Sequence, residues 1–273
     1  MLGNLLLTLR HRLPDFPGRQ RLLTWCDRAL GPFVATTRSR IRLRVFSGSF
    51  MDALYFDPKQ AAESDAALLG EEIAQLKEGD VFIDVGANIG YYSILAGKRV
   101  GASGLVLAFE PSIRESARLV ENLRLNHCGN VVFVSVALGS APRISELHIA
   151  PTHTGLNTFQ VAASSAPAFS GAVTQRVLVP CFDHLVPPML GERQVRLLKI
   201  DVEGAEMDVL LGMKDSLRRG LFERILVEIT PSFLEKFGHS KAALYELLES
   251  SGYSARFRSD AWQYDELFER QTP

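Results

Sequence analysis

The hydrophobic pattern of the chain alternates between short apolar runs, which predict buried strands, and amphipathic stretches, which predict helices. In the first half the order is strand, helix, strand, helix, strand, over residues 81–85, 91–100, 105–109, 112–127 and 131–138. The order resumes in the second half over residues 195–200, 205–211, 225–229 and 241–251. Such βαβ units predict a parallel, doubly wound α/β sheet, since right-handed crossovers place helices on both of its faces.

Two breaks in this order add smaller elements. Residues 144–149 and 176–179 alternate like strands, and they flank a small-residue stretch at 161–168 that we expect to be a mobile loop. Near the end of the chain, residues 253–257 and 261–264 predict an antiparallel pair that closes the sheet.

The first 59 residues follow a different pattern, and we assign them to an N-terminal extension of a main domain at 60–273, which opens with an amphipathic helix. Residues 1–31 predict amphipathic helices, which either cap the main domain or dock on a membrane surface or a partner protein. Strict alternation at 38–46 predicts a strand, with a return strand at 50–56 that makes a hairpin.

The predicted strand at 38–46 has one apolar face and one face that carries four arginines: Arg38, Arg40, Arg42 and Arg44. A solvated face is one interpretation of these side chains. The other is a surface that attracts an anionic substrate, because guanidinium groups pair with phosphate or carboxylate.

Composition narrows the class of protein. The chain has 273 residues, 47% of them hydrophobic, which is enough for a sizeable core. A net charge of −1 gives no case for binding nucleic acid. Three isolated cysteines predict no disulfide framework and favour a cytoplasmic location, and no apolar run is long enough to span a membrane. Oligomeric state is not encoded in any readable pattern, and a homo-oligomer stays open.

The first candidate site lies between Gly79 and Gly90, in the sequence GDVFIDVGANIG. A buried strand ends near an acid, Asp84, and two glycines, Gly86 and Gly90, then predict a tight turn and a helix start. Such a turn presents backbone N–H groups to a ligand. The GxGxxG dinucleotide pattern is absent, and the acid favours a cationic ligand over a pyrophosphate. S-adenosylmethionine, with its sulfonium and ammonium groups, suits this arrangement.

Two further stretches place charges at predicted strand ends. Glu110 follows the second strand of the main domain, where an acid can accept hydrogen bonds from both hydroxyls of a ribose. Residues 199–206, KIDVEGAE, follow a predicted central strand. Asp201 and Glu203 share a strand face there if the strand continues, whereas Glu203 and Glu206 flank a helix start if it does not.

Together these motifs resemble the FkbM family of S-adenosylmethionine-dependent methyltransferases over about residues 60–230. The resemblance rests on the stretches 79–90, 109–111, 122–126 (NLRLN), 137–139 and 199–206. It implies a class I (Rossmann-like) methyltransferase fold: a mostly parallel seven-stranded sheet, with six strands parallel and one antiparallel, and helices on both faces. It also implies O-methylation of a hydroxyl on a sugar, glycan or secondary metabolite.

The resemblance further implies a set of cofactor-binding residues: Asp84, Gly86, Ala87, Asn88, Gly90, Glu110, Pro111, Ser112 and Ala137. The glycine turn would line the methionine part of S-adenosylmethionine, Glu110 would bind the ribose, and Ala137 would border the adenine. Asp201 and Glu203 would face the transferred methyl group.

An alcohol acceptor must lose a proton, so a general base is expected. Asp201 is the first candidate, Glu203 the second, and Lys199 would keep an acid ionised. No metal is assigned, although Asp183, Asp201 and Glu203 leave a Mg²⁺ site open. Two other functions stay open as well: an NAD-dependent oxidoreductase on a similar sheet, and a non-catalytic cofactor-binding protein.

Overall fold

A seven-stranded sheet dominates the computed structural model, which describes residues 31–46, 55–56, 66–150, 157–159 and 173–271, with Gly18, Leu22, Trp25 and Ala29 as isolated positions. The strands of the described residues are β1 (Phe33–Thr36), β2 (Arg42–Val45), β3 (Val81–Val85), β4 (Leu105–Phe109), β5 (Val131–Val134), β6 (Arg143–Ile149), β7 (Val173–Val179), β8 (Val195–Ile200), β9 (Phe222–Ile229), β10 (Tyr253–Ala255) and β11 (Tyr264–Arg270). The helices of the described residues are α1 (Ala66–Ala74), α2 (Tyr91–Val100), α3 (Ile113–Asn126), α4 (Phe182–Leu185), α5 (Pro187–Leu190), α6 (Glu206–Leu211), α7 (Lys214–Arg218), α8 (Pro231–Lys236) and α9 (Lys241–Ser250).

The strand order of the large sheet is β10-β11-β9-β8-β3-β4-β5. Strands β9, β8, β3, β4 and β5 pair in parallel, whereas β11 is antiparallel to both of its neighbours. Six strands therefore point one way and one points the other way, which is the sheet that the resemblance implied. The class I methyltransferase fold is confirmed.

The sheet separates two hydrophobic cores, because successive side chains of a strand point to opposite faces. In β3, Val81, Ile83 and Val85 face one core, which also holds side chains of α6, α7, α8 and α9. Phe82 faces the other core, together with side chains of α1, α2 and α3. Helices therefore cover both faces, as predicted. None of the described helices has both the length and the apolar character needed to cross a bilayer.

The predicted bounds of β3, α2, β4 and β8 agree with the structure, but β5 is shorter than predicted. It ends at Val134 because Val136 N bonds back to Val134 O, 3.0 Å away, and Ala137 N turns to Leu178 O, 3.1 Å away on β7. The antiparallel pair predicted near the end of the chain is confirmed, since β10 pairs with β11, but the predicted bounds of the second strand were wrong, because β11 spans Tyr264–Arg270.

Strands β6 and β7 pair with each other and form a separate two-stranded sheet, which we call the β6–β7 hairpin. Leu147, Ile149, Val177 and Val179 give it a small core of its own, to which Ala137 of the main domain contributes. The predicted loop at 161–168 lies outside the described residues.

The N-terminal hairpin differs from the prediction in its partner strand. β2 pairs with β1, which precedes it, while Tyr55 and Phe56 form a turn. Within the predicted helices at 1–31 only isolated positions are described, of which Leu22, Trp25 and Ala29 are helical, and most of the predicted return strand lies outside the described residues. Ile41, Leu43 and Val45 are fully buried in the core that holds α1, α2 and α3, as the alternation predicted.

Helix α3 fastens this hairpin through the NLRLN stretch. Asn122 Oδ1 accepts from Arg44 N at 2.8 Å, and Asn126 Oδ1 accepts from Arg42 N at 3.0 Å. The arginine side chains are also engaged, because Arg44 pairs with Glu121 and Arg42 donates to the backbone of the same helix. These two arginines therefore serve to dock the hairpin.

A buried ion pair joins α1 to β9. The side chains of Glu72 and Arg224 are 1% and 8% exposed, and they contact each other directly. We expect Glu72→Ala to lower the free energy of unfolding by about 3–5 kcal/mol, because it leaves the Arg224 charge buried without its carboxylate. Urea denaturation followed by circular dichroism measures this loss.

The control is Glu146→Ala, which removes the ion pair between Glu146 and Arg176, whose side chains are 56% and 80% exposed. This variant should stay within about 0.5 kcal/mol of the wild type. Equal losses in the two variants would contradict the importance of the buried pair.

Candidate active site

The site lies where parallel strands β3, β4, β8 and β9 end at one edge of the sheet. The glycine turn follows β3, Glu110 follows β4, Asp201 follows β8, and Glu228 lies near the end of β9. The fold thus brings together charged residues that are far apart in the sequence, from Asp84 to Glu228. Ligands of open α/β sheets bind at this edge.

Two glycines of the turn are required by their surroundings. Gly86 has φ +83°, and a Cβ atom there would lie 1.8 Å from the backbone oxygen of Asp201. Gly90 has φ +84°, and a Cβ atom would lie 3.0 Å from Leu119 Cγ. Asn88 also has a positive φ, +49°, which asparagine tolerates better than most residues. The turn therefore packs against β8 at a distance that only glycine allows.

The turn is also tied to β4. The N–H groups of Gly86 and Ala87 both donate to Phe109 O, at 3.0 and 2.9 Å. Phe109 immediately precedes Glu110, so the turn and this acid keep a set separation.

Glu110 is 6% exposed, and each of its carboxylate oxygens accepts a backbone N–H. Asn88 N lies 3.0 Å from Oε2, and Ser112 N lies 2.8 Å from Oε1. Burial raises the pKa of Glu110 to about 8, while these N–H donors and the more distant Lys199 act against the shift and Glu115 adds to it.

The remaining predicted cofactor residues surround this acid. Ser112 is fully buried and donates through Oγ to Glu115, and Pro111 O accepts from Gln175 on β7, 2.9 Å away. Ala137 is buried beside the β6–β7 hairpin. Their roles toward a cofactor stay predictions.

Lys199 is the central cation of the site. Its side chain is 5% exposed, and its Nζ lies 3.2 Å from Asp84 Oδ1, 3.2 Å from Asp201 Oδ2 and 2.9 Å from Gly86 O. Burial alone would lower the pKa of Lys199, but the carboxylates of Asp201 and Asp84 outweigh it and raise the pKa. Lys199 is therefore an ammonium ion at neutral pH and has two anionic partners.

Asp84 is buried just before the glycine turn, and its carboxylate contacts other protein groups. Its side chain is 1% exposed, Oδ2 accepts from Ser93 Oγ at 2.6 Å, and Oδ1 faces Lys199. The carboxylate thus has protein partners on both oxygens. Its predicted place beside the methionine part of the cofactor is not tested by this geometry, whereas its contact with Lys199 is direct.

Three carboxylates converge beyond Lys199. Asp201, Glu203 and Glu228 each offer an oxygen within 4.8 Å of the others, and all three are half-buried. Among these three carboxylates, Asp201 forms the ion pair with Lys199. Glu228 was missed in the sequence, although it stands as a lone acid in the apolar run ILVEI near a strand end.

The shared strand face expected for Asp201 and Glu203 is wrong, because β8 ends at Ile200. Glu203 has φ +56° and Gly204 has φ +104°, so the chain turns here. Glu206 then begins α6, and its Oε1 accepts from Val202 N and Gly204 N at 3.2 and 2.9 Å. The alternative of acids at a helix start therefore describes this segment.

Proximity and burial change the proton affinity of these acids. Burial, followed by the charges of Asp201 and Glu206, raises the pKa of Glu203 well above its usual value. Burial and the charges of Asp201 and Glu203 raise the pKa of Glu228 to about 10. Glu228 thus holds a proton at neutral pH and can donate a hydrogen bond, the protonated form of Glu203 is favoured, and Asp201 is the acid beside a cation.

Asp183 does not belong to this group, so the Mg²⁺ set considered from the sequence is wrong in that member. Asp183 accepts from Ser216 N at 3.0 Å and Asp215 N at 2.9 Å, at the start of α7. The three converging oxygens are of the kind that Mg²⁺ binds, but they equally form a proton-sharing cluster.

Residues 84–255 match the model of the Methyltransferase FkbM domain. The chain belongs to this family, which confirms the resemblance drawn from its motifs. The protein is a methyltransferase of the class that uses S-adenosylmethionine as the methyl donor. Membership decides against the NAD-dependent oxidoreductase.

Relatives include Methyltransferase 1 of Beauveria bassiana (strain ARSEF 2860), 28% identical over 72% of this chain and 81% of its own length. The hexuronic acid methyltransferase AglP of Haloferax volcanii is 29% identical over 58% of this chain and 59% of its own length. A solved structure of a SAM dependent methyltransferase from Aquifex aeolicus aligns over 78% of this chain and 92% of its own, with 15% identity and a TM-score of 0.44.

The contact between the glycine turn and β8 gives a direct test. We expect Gly86→Ala to lower the free energy of unfolding by about 2–4 kcal/mol, because its Cβ would lie 1.8 Å from Asp201 O and must displace the backbone. Thermal and urea unfolding measure the loss.

Gly70→Ala is the matched control, since Gly70 lies in α1 and a Cβ there meets nothing within 4 Å. It should be neutral or stabilising by up to about 1 kcal/mol. A Gly86→Ala protein as stable as the wild type would show that the turn and β8 are not in close contact.

Proposed function

We propose that the protein transfers the methyl group of S-adenosylmethionine to a hydroxyl oxygen of a sugar, glycan or secondary metabolite. One observation carries the proposal. The glycine turn bonds to Glu110, the buried acid proposed to bind the ribose, and it lies directly beside the Lys199–Asp201 ion pair at the same edge of the sheet. The first part suits a nucleoside cofactor, and the second suits removal of a proton from an acceptor.

On the side of the site that would bind the methyl donor, Glu110 can accept hydrogen bonds from two hydroxyl groups. A carboxylate has about four lone-pair positions. Backbone N–H groups of Asn88 and Ser112 occupy one position on each oxygen, which leaves one on each for the 2′- and 3′-hydroxyls of a ribose. This geometry favours the ionised form of Glu110 when the cofactor is bound.

On the acceptor side, Asp201 is the proposed general base. Methyl transfer is an in-line displacement at the sulfonium methyl, and alignment of the acceptor oxygen is worth up to about 7–11 kcal/mol in well-oriented systems. Proton removal by a positioned carboxylate adds about 10²–10⁴-fold. Asp201 is half-buried and held 3.2 Å from the Lys199 ammonium, so it is fixed in place yet reachable from solvent.

Glu203 and Glu228 have a different proposed role. Burial and neighbouring carboxylates raise the pKa values of both groups, that of Glu228 to about 10, so Glu228 holds a proton at neutral pH and the protonated form of Glu203 is favoured. Protonated carboxyls can donate hydrogen bonds to oxygen atoms of the acceptor that do not react. The cluster then offers an acceptor group, Asp201, beside a donor group, Glu228, a combination that suits a polyhydroxylated molecule.

The name of one relative, the hexuronic acid methyltransferase AglP, supports a sugar among the candidate acceptors. A first screen should therefore contain hexuronic acid glycosides, neutral glycosides and hydroxylated secondary metabolites. Transfer of a labelled methyl group from S-adenosylmethionine identifies the acceptor. Failure with every member, despite cofactor binding, would favour a non-catalytic cofactor-binding protein.

Substitution of Asp201 should separate cofactor binding from methyl transfer. We expect S-adenosylhomocysteine to bind the wild type and Asp201→Asn with affinities within about threefold, because Asp201 faces the acceptor. Turnover of Asp201→Asn should fall about 10²–10⁴-fold, because the base is lost. Isothermal titration and the labelled-methyl assay measure the two quantities.

Glu203→Gln is the comparison variant, because a glutamine keeps the size of the side chain and can still donate and accept hydrogen bonds. Its turnover should fall less than about tenfold. Full turnover in Asp201→Asn would remove this residue from the mechanism, and binding of NADH without binding of S-adenosylhomocysteine would contradict the proposed function.

The affinity for the cofactor should depend on pH through Glu110. The apo pKa of Glu110 is raised to about 8, mainly by burial, and the ribose hydroxyls prefer its ionised form. Binding therefore releases a proton below that pH, and affinity for S-adenosylhomocysteine should rise up to about tenfold per pH unit until about 8, then level off. Titrations between pH 6 and 8.5 measure this slope.

Glu110→Gln is the control, since it cannot ionise. It should bind more weakly, and its affinity should lack this dependence on pH. A wild-type slope equal to that of Glu110→Gln would show that Glu110 does not change its protonation when the cofactor binds.

A further inference from the structure

The β6–β7 hairpin contacts the segment that carries Glu110, and Gln175 makes the central contact. Gln175 lies on β7 on the same face as the buried Val177 and Val179, and it is half-buried. Its side chain therefore points away from the hairpin, toward the start of α3.

The amide of Gln175 makes two hydrogen bonds to one short stretch of backbone. Its Nε2 donates to Pro111 O at 2.9 Å, and its Oε1 accepts from Ile113 N at 2.9 Å. Ser112 lies between these two residues, and its N–H donates to Glu110 Oε1 at 2.8 Å. Gln175 thus holds the carbonyl of the peptide group whose N–H supports the proposed ribose acid, and it also holds the N–H of the following peptide group.

A second set of contacts holds the other side of the same turn. Ser112 Oγ donates to Glu115, a fully buried carboxylate on α3. Asn157 Nδ2 donates to Glu115 Oε2 at 3.2 Å, and Asn157 Oδ1 accepts from Ala150 N at 3.2 Å. Arg114 Nη1 donates to Ala150 O at 2.6 Å. The turn after β4 is therefore connected to both strands of the hairpin.

We propose that Gln175 is a positioning residue for cofactor binding: it holds the Pro111–Ile113 backbone so that Ser112 N–H supports the ionised form of Glu110. This inference rests on the proposed function, because it assigns Glu110 to the ribose. Gln175 acts through Ser112 and does not itself need to touch the cofactor.

Attachment of the hairpin does not depend on Gln175. Ala137 N donates to Leu178 O at 3.1 Å, Gly139 N donates to Pro180 O at 3.1 Å, and the small core of the hairpin is separate from the amide. Loss of the Gln175 amide should therefore release the turn after β4 while leaving the hairpin in place. The effect should appear in cofactor binding and hardly in stability.

The charged groups that face Glu110 predict the sign of the pH effect. Glu115 on α3 raises its pKa, Lys199 on β8 lowers it, and the N–H groups of Ser112 and Asn88 also lower it. A released turn weakens the Ser112 contribution, so the ionised form of Glu110 becomes less favourable. The pH at which cofactor affinity levels off should move upward.

The test compares Gln175→Met with the wild type, because methionine keeps the length and packing of the side chain but removes both hydrogen bonds. We expect the dissociation constant of S-adenosylhomocysteine at pH 7.5 to rise about 5–20-fold, and the pH midpoint of binding to rise by about half a unit to one unit. Isothermal titration over a pH series measures both values, and thermal unfolding should change little.

Arg176→Ala is the control, since Arg176 is the next residue on β7, faces the opposite side and is 80% exposed in its side chain. It should leave both values unchanged. An unchanged affinity and midpoint in Gln175→Met would overturn the inference, as would weaker binding with an unchanged midpoint and a matching loss of stability. Absence of S-adenosylhomocysteine binding to the wild type would instead overturn the proposed function.

Discussion

The buried ammonium of Lys199 is the interaction on which the site depends. Lys199 and Asp84 stand opposite each other in the paired strands β8 and β3, and Asp201 follows directly after β8, two residues beyond Lys199. A buried charge is tolerated only when it is paired and hydrogen-bonded, so Lys199 requires both carboxylates and the Gly86 carbonyl. The same contacts draw the glycine turn against β8, and the absence of a side chain at Gly86 lets the two backbones meet.

This pairing divides the acids of the site into two kinds. The acids that touch Lys199, Asp84 and Asp201, each contact a cation, whereas burial and other carboxylates raise the pKa values of Glu203 and Glu228. Glu110 forms a third case, because backbone N–H groups rather than a cation support it. Carboxylates of similar intrinsic acidity thus acquire different tasks from their surroundings.

Much of this organisation could be predicted from the sequence where local patterns are strong. Strands β3, β4 and β8 are mainly apolar runs, interrupted only by Asp84 in β3 and by Arg196 and Lys199 in β8, and their bounds were predicted correctly. Prediction failed where distant contacts decide. The chain leaves β5 early because Ala137 bonds to β7, β8 stops at Ile200 before Asp201 and Glu203 can share its face, and β2 takes its partner from upstream. Glu228 and Gln175 belong to no contiguous motif, so only the fold reveals their neighbours.

The strand order has a consequence for how such a protein can diverge. The chain completes β3, β4 and β5 on one side before it crosses back to build β8, β9, β11 and β10 on the other. On the proposed assignment, donor recognition is thus encoded almost entirely by one contiguous half of the gene and acceptor recognition by the next. Recombination or drift confined to the later half can exchange the methylated compound while the inherited nucleoside-binding half stays intact. The β6–β7 hairpin, encoded between them, is the exception, because a change there reaches the donor side from outside its own coding segment.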